Sequence, residues 1–120
     1  MHATNEDKKQ ILEALIEIVS DISDKEYQQR VWIRGEGPEA ADFDETVCIF
    51  FQVGDHVVEE YKNFGLTEYQ YHLLKEFRDQ FEAFADNNNW PPKFIDTPEW
   101  ARIMNMAKGV LKAFDYKNKC

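Results

Sequence analysis

The amino-acid sequence predicts an all-α fold, a single-domain bundle of about five or six helices spanning residues 1–120. Three observations predict it. Apolar residues recur at three- and four-residue spacing through most of the chain. Asp24, Asp42, Thr67 and Thr97 each stand just ahead of such a run, where a short polar side chain can cap a helix N-terminus. No segment sustains the alternation of a half-buried strand. The one strand candidate, CIFFQV at 48–53, follows a cap, and the spacing of Phe43, Val47 and Phe50 favours a helix there. A chain of 120 residues with nine Phe, five Tyr and three Trp can bury one hydrophobic core.

Residues 5–22 read as an amphipathic helix. Ile11, Leu12, Leu15, Ile16, Val19 and Ile22 form its apolar face, and Glu13, Glu17 and Asp21 form a solvated row. Asp24 caps a second, short helix with Tyr27, Val31 and Trp32 on its buried side, ended by Gly35. Residues 35–41 form a loop fixed by Gly35, Gly37 and Pro38. Its glycine spacing fits no phosphate-binding loop, and Glu36 and Glu39 would repel phosphate. Asp42 and Glu45 make a capping-box-like start to a third helix, with Phe43, Val47, Phe50 and Phe51 toward the core. That helix is expected to run to about Val53, with Gly54 ending or kinking it. Ile49 points well away from the core face and Val53 partly away, so another helix covers them or they lie exposed among acids. A further helix over 55–63 is expected to bury Val57, Val58 and Tyr61 and to close at Phe64-Gly65.

Thr67 and Gln70 form a capping box before the clearest helix, whose stripe is Leu74, Phe77, Phe81 and Phe84 with Leu73 beside it. The run Asp86-Asn87-Asn88-Asn89 ends it. Trp90-Pro91-Pro92 predicts a stiff extended link, because each proline biases its predecessor away from helix. Thr97 caps the last helix and Pro98 takes its first position. Trp100, Ile103, Met104, Ala107, Val110, Leu111 and Phe114 give that helix a broad apolar face, and Lys112, Lys117 and Lys119 suit its dipole. Phe77, Phe81, Trp100, Ile103 and Leu111 are expected to be buried together.

Charge carries the functional signal. The formal net charge is −9. Residues 35–61 hold eight carboxylates (Glu36, Glu39, Asp42, Asp44, Glu45, Asp55, Glu59 and Glu60) and no Lys or Arg. The residues before that stretch sum to −2 and those after it to +1. Such a field attracts a basic partner and repels nucleic acid and anionic membranes. The expected partner-binding residues are Glu36, Glu39, Asp44, Glu45, Ile49, Asp55, Glu59 and Glu60. Capping and the helix dipole already explain Asp42, Asp44, Glu45 and Asp55; they explain Glu36, Glu39, Glu59 and Glu60 less well. The plain alternative is a solvated surface that keeps the protein soluble, although surfaces of that kind normally mix signs.

Other chemistry finds little support. The sequence holds no H-E-x-x-H, paired C-x-x-C or EF-hand loop, so no metal and no cofactor is expected. His56/Glu60 and Glu68/His72 are i, i+4 pairs of an ordinary surface kind. No nucleophile–base arrangement is legible, and an enzyme is not expected. Cys48, inside an apolar run, reads as a buried, inert thiol, and Cys120 as a second reduced thiol. No apolar run reaches the ~20 residues that span a bilayer, and MHATNEDKKQ lacks a signal-peptide core, so a cytoplasmic location is expected.

WIRGEGPEAADFDETV, FGLTEYQYHLLKEF and FIDTPEWARI together resemble small acidic bacterial proteins encoded beside toxins, the immunity proteins of contact-dependent growth inhibition and related polymorphic toxin systems. The similarity covers roughly residues 27–114. It points to an all-helical immunity protein against an RNase toxin of the EndoU type. The resemblance implies steric inhibition, with an acidic face covering the cationic groove where the toxin holds RNA. An adaptor for another basic protein, or a carboxylate-based metal binder or enzyme, remain the rival readings.

Overall fold

A computed structural model describes residues 5–36 and 42–114. The helices are α1 (Asn5–Ser23), α2 (Lys25–Tyr27), α3 (Phe43–Glu59), α4 (Glu68–Asn87), α5 (Pro91–Phe94) and α6 (Pro98–Ala113). A π-helical segment, Gln28–Ile33, continues directly from α2. The fold is all-α, with no strand among the described residues.

The four long helices form a bundle. α1 packs on α3 and α6, and α4 packs on the same two, which leaves α3 and α6 across the bundle from each other. Each expected cap is present. Asp24 accepts from the Tyr27 amide and Asp42 from the Glu45 amide. Thr67 accepts from the Gln70 amide at 3.1 Å while the Gln70 side chain accepts from the Thr67 amide at 2.8 Å. Thr97 accepts from the Trp100 amide. Each satisfies one N–H that the first turn leaves without a partner.

Aromatic rings fill the centre. Phe50 lies edge-on to Phe77 and Phe81, with centroids 5.3 and 5.4 Å away. Phe94 stands 4.9 Å from both Phe43 and Trp100. Such pairs contribute about 0.5–1.5 kcal/mol each beyond the area they bury. Phe77, Phe81, Trp100 and Ile103 are buried as expected; Leu111 is only partly buried, at the rim of that core. Ile18 is buried although it lies outside the anticipated stripe of α1.

Four local expectations need correcting. Gly54 neither ends nor kinks α3, which runs unbroken to Glu59. Gly54 is buried, and the Phe50 ring lies 3.4–3.7 Å from where its Cβ would stand. That is ordinary van der Waals contact with a core ring one turn back, so the glycine sits in the helix without opening a break. The following residues, 60–65, form turns, and Gly65 closes them with φ +76°. Val57 is buried, while Val58 and Tyr61 are only partly so. Trp90-Pro91-Pro92 is not an extended link. Trp90 alone is extended, and Pro91 and Pro92 open α5, where the amide a proline lacks would have no helical partner. Cys48 is exposed, not buried, because its position on α3 faces away from Phe50.

The second helix departs from a simple short helix. After one α-turn it widens, with the Arg34 amide donating to the Gln29 carbonyl five residues back. Val31 and Trp32 are buried as expected, but Gln28 is buried with them. The Gln28 Nε2 donates to the carbonyls of Ile22 (2.8 Å) and Asp21 (3.1 Å), and its Oε1 accepts from the Trp100 Nε1 at 2.9 Å. One buried amide thus joins the end of α1 to α6. Trp32 Nε1 is buried with no hydrogen-bond partner among the described residues.

Candidate functional site: the outer face of α3

α3 buries Phe43, Thr46, Phe50, Gly54 and Val57. Its opposite side exposes Asp44, Glu45, Cys48, Gln52, His56 and Glu59. At 1.5 Å per residue, Asp44 and Glu59 lie roughly 22 Å apart along the helix. The acids that cluster in sequence therefore separate into two groups. Asp44 and Glu45 stand at the start of α3, and Glu59 and Glu60 at its end.

The expected binding residues fare differently. Glu39 lies outside the described residues. Glu36 is paired with Arg34 at 3.1 Å, an exposed pair worth about 0–1 kcal/mol. Asp55 accepts from Arg78 of α4, so it joins two helices. Arg78 also reaches Asp79 (2.9 Å) and Glu82 (3.6 Å), and its guanidinium lies 5.6 Å from the Phe51 ring centroid. The bond from Asp55 raises the Arg78 pKa further above its ordinary value; Arg78, and then Lys75, hold the Asp79 carboxyl below its ordinary 3.8. One Glu60 oxygen accepts from Asn63 Nδ2 at 2.5 Å. Ile49 is half-buried and packed against the core, so it is not an open contact at the centre of the face. Asp44, Glu45 and Glu59 have no side-chain partner among the described residues.

A stretch without Lys or Arg in sequence is therefore not free of them in space, because Arg34 and Arg78 neutralise two of its acids. Only the 23-residue reach of the Arg78–Asp55 bond reveals the second of these. The remaining acids differ in how well α3 accommodates them. Asp44 and Glu45 occupy the first turn, where the helix dipole favours negative charge. Glu59 is the last residue of α3 and Glu60 its C-cap, where the dipole disfavours negative charge by about 0.3–1 kcal/mol each. Nearby Lys62 is placed over the Tyr61 ring, 6.0 Å from its centroid.

The same end of α3 borders a cleft of about 630 Å³ against the start of α1. Ile11, Ala14, Val53 and Phe64 supply apolar walls, and His56 and Glu60 are among its polar residues. The His56 and Phe64 rings meet edge-on with centroids 5.4 Å apart. Sequence reasoning did not anticipate this cleft; its one signal is that Val53 is an apolar residue off the centre of the core face of α3.

Among the described residues, no three His, Cys, Asp or Glu side chains converge as a metal site would require. Glu68 is engaged by the Tyr61 hydroxyl, which donates to it at 2.7 Å and whose own pKa is raised by that bond. No described helix is long and apolar enough to cross a membrane. Among the described residues the exposed aromatic side chains are Tyr69, in the first turn of α4, and Trp90, just beyond its end. No known protein family, curated protein or solved structure matches the chain.

Proposed function

We propose that this protein is a cytoplasmic immunity protein that binds a toxic nuclease domain, an RNase, and neutralises it by covering its cationic groove. The observation that carries the reading is the acidic face of α3, where Asp44, Glu45 and above all Glu59 have no side-chain partner among the described residues. An unpaired carboxylate at the negative end of a helix costs stability, so its presence needs a gain elsewhere. A cationic partner supplies that gain.

The rest of the molecule supports the same orientation. α6 lies across the bundle from α3 and exposes Arg102, Lys108 and Lys112 against Glu99 alone. A basic groove is thus drawn to the α3 side, since beside α6 the cations Lys108 and Lys112 share a groove with Asp24 and Glu26, which offset them. Charge of this kind raises association rates and fixes orientation more than it adds affinity. The inhibition is steric, and it draws no catalytic group from this chain.

Recovery of bound protein from the native host, followed by an RNase assay on the recovered partner, tests the reading. The expected partner is basic, cleaves RNA when freed, and is inhibited at one-to-one stoichiometry. A basic partner without nuclease activity would instead make this protein an adaptor.

A further inference from the structure

The cleft at the α1–α3 seam extends the acidic face with a concave, partly apolar site. We propose that it seats one arginine side chain of the docked basic protein. This inference rests on the docking role assigned to α3. The cleft's volume of about 630 Å³ is ample for a single side chain together with displaced water. Its walls suit a long amphipathic chain: Ile11, Ala14 and Val53 offer aliphatic surface for the stem, and Phe64 offers a ring.

Charge decides which amphipathic chain enters. Asp7 and Lys8 bring opposite charges from α1, so Glu60 sets the sign of the cleft. Only Oε1 of Glu60 accepts from Asn63, which leaves Oε2 for an incoming donor. The C-terminal end of α3 adds its own negative potential at this point, and Glu59 lies one residue away. Arginine fits better than lysine. Its planar, weakly hydrated guanidinium stacks on an aromatic ring and forks onto a carboxylate, whereas an ammonium gives up more hydration to enter. A buried arginine anchor in a pocket is also the kind of contact that dominates interface affinity.

The test is a nuclear magnetic resonance titration of the isotope-labelled protein with three probes: N-acetyl-arginine methylamide, its lysine equivalent, and its neutral citrulline equivalent. The arginine probe should give saturable amide shifts centred on Ile11, Ala14, Val53, Glu60 and Phe64. The lysine probe should bind more weakly and citrulline should not saturate. Glu60→Gln should weaken the arginine probe about tenfold, the cost of one charge-assisted contact. Ala14→Trp, at an exposed position of α1, should fill the cleft and abolish the shifts. Equal response to citrulline, or arginine shifts that persist in both variants, would overturn the proposal. Poly-lysine separates this result from the docking role. If poly-lysine shifts Asp44, Glu45, Cys48 and Gln52 while arginine leaves the cleft untouched, the acidic face stands and the arginine seat is rejected.

Discussion

Gln28 shows how much one side chain can fix. Its amide satisfies two carbonyls near the end of α1 and the Trp100 indole of α6. Gln28→Leu keeps most of the volume but strands two buried polar groups, the Ile22 carbonyl and Trp100 Nε1, while the Asp21 carbonyl still accepts from the Asp24 amide. Stability should fall by about 2–4 kcal/mol, since each buried group left unpaired costs about 1–3 kcal/mol and relaxation recovers part. Chemical denaturation of the two proteins measures it. Gly54 makes the opposite case. A Cβ there would meet the Phe50 ring at 3.4 Å, which is ordinary contact. Gly54→Ala should therefore be neutral or stabilising, by up to ~1 kcal/mol from helix propensity, whereas Gly54→Val should overpack. Cys48 carries a third prediction. In a Cys120→Ser background the native protein should react with a thiol reagent as fast as the unfolded chain, to within about tenfold, because exposure governs access. Protection by orders of magnitude would mean that Cys48 is covered.

At the scale of elements, α3 holds acids at both ends for different reasons, and stability measurements separate them. Asp42→Ala removes a cap and should cost roughly 1 kcal/mol. Asp44→Lys places positive charge against the positive end of the dipole and should destabilise by a few tenths of a kcal/mol or more. Glu59→Lys should stabilise by a similar amount, with the sign reversed because the end is reversed. Thermal melts of the three variants check the pattern. The α3–α4 seam adds a pH dependence. The Asp79 carboxyl is held below 3.8 in the folded protein, so its stabilising contribution is complete above that value and is lost as pH falls through the lowered one. Its side chain is about half exposed, so the contribution is small. Asp79→Asn should lower stability slightly at neutral pH and converge with wild type at acid pH, which flattens the acid limb of the melting curve.

Across the whole molecule, the helices were legible because caps and periodicity are local. Thr67 with Gln70, the Phe77–Phe81–Phe84 stripe and Thr97-Pro98 all speak within one or two turns, and α4 and α6 follow from them. Gly54 misled because a glycine in a helical pattern reads as a break, although its cost there is only about 1 kcal/mol and the apolar periodicity from Phe50 to Val57 runs straight through it. The prolines after Trp90 misled because Pro favours both an extended predecessor and a helix's first turn, and only the packing of Phe94 against Phe43 and Trp100 selects between them. The π-helical turn at Gln28 has no local signature, and the bond that Gln28 accepts from Trp100 reaches 72 residues along the chain. The site was legible only as charge. Sequence could show that 35–61 is acidic, but not that Arg78 would occupy Asp55, that Ile49 would turn half inward, or that α1 would complete a cleft beside Glu60.

On the proposed docking role, the acids of α3 should make association depend on salt and on which face carries them. The direct measurement is the association rate of the proposed nuclease partner with wild type and with variants reversing Asp44 and Glu45 or Glu59 and Glu60 to Lys, at low and high ionic strength. At physiological salt the Debye length is about 8 Å, so low-salt rates carry the steering. The wild-type rate should fall steeply as salt is raised. Each double reversal should slow low-salt association by roughly tenfold or more, and the variants should converge on wild type at high salt. Unchanged association by both variants, with no dependence on salt, would contradict an acidic docking face on α3 and leave its carboxylates as solvated surface.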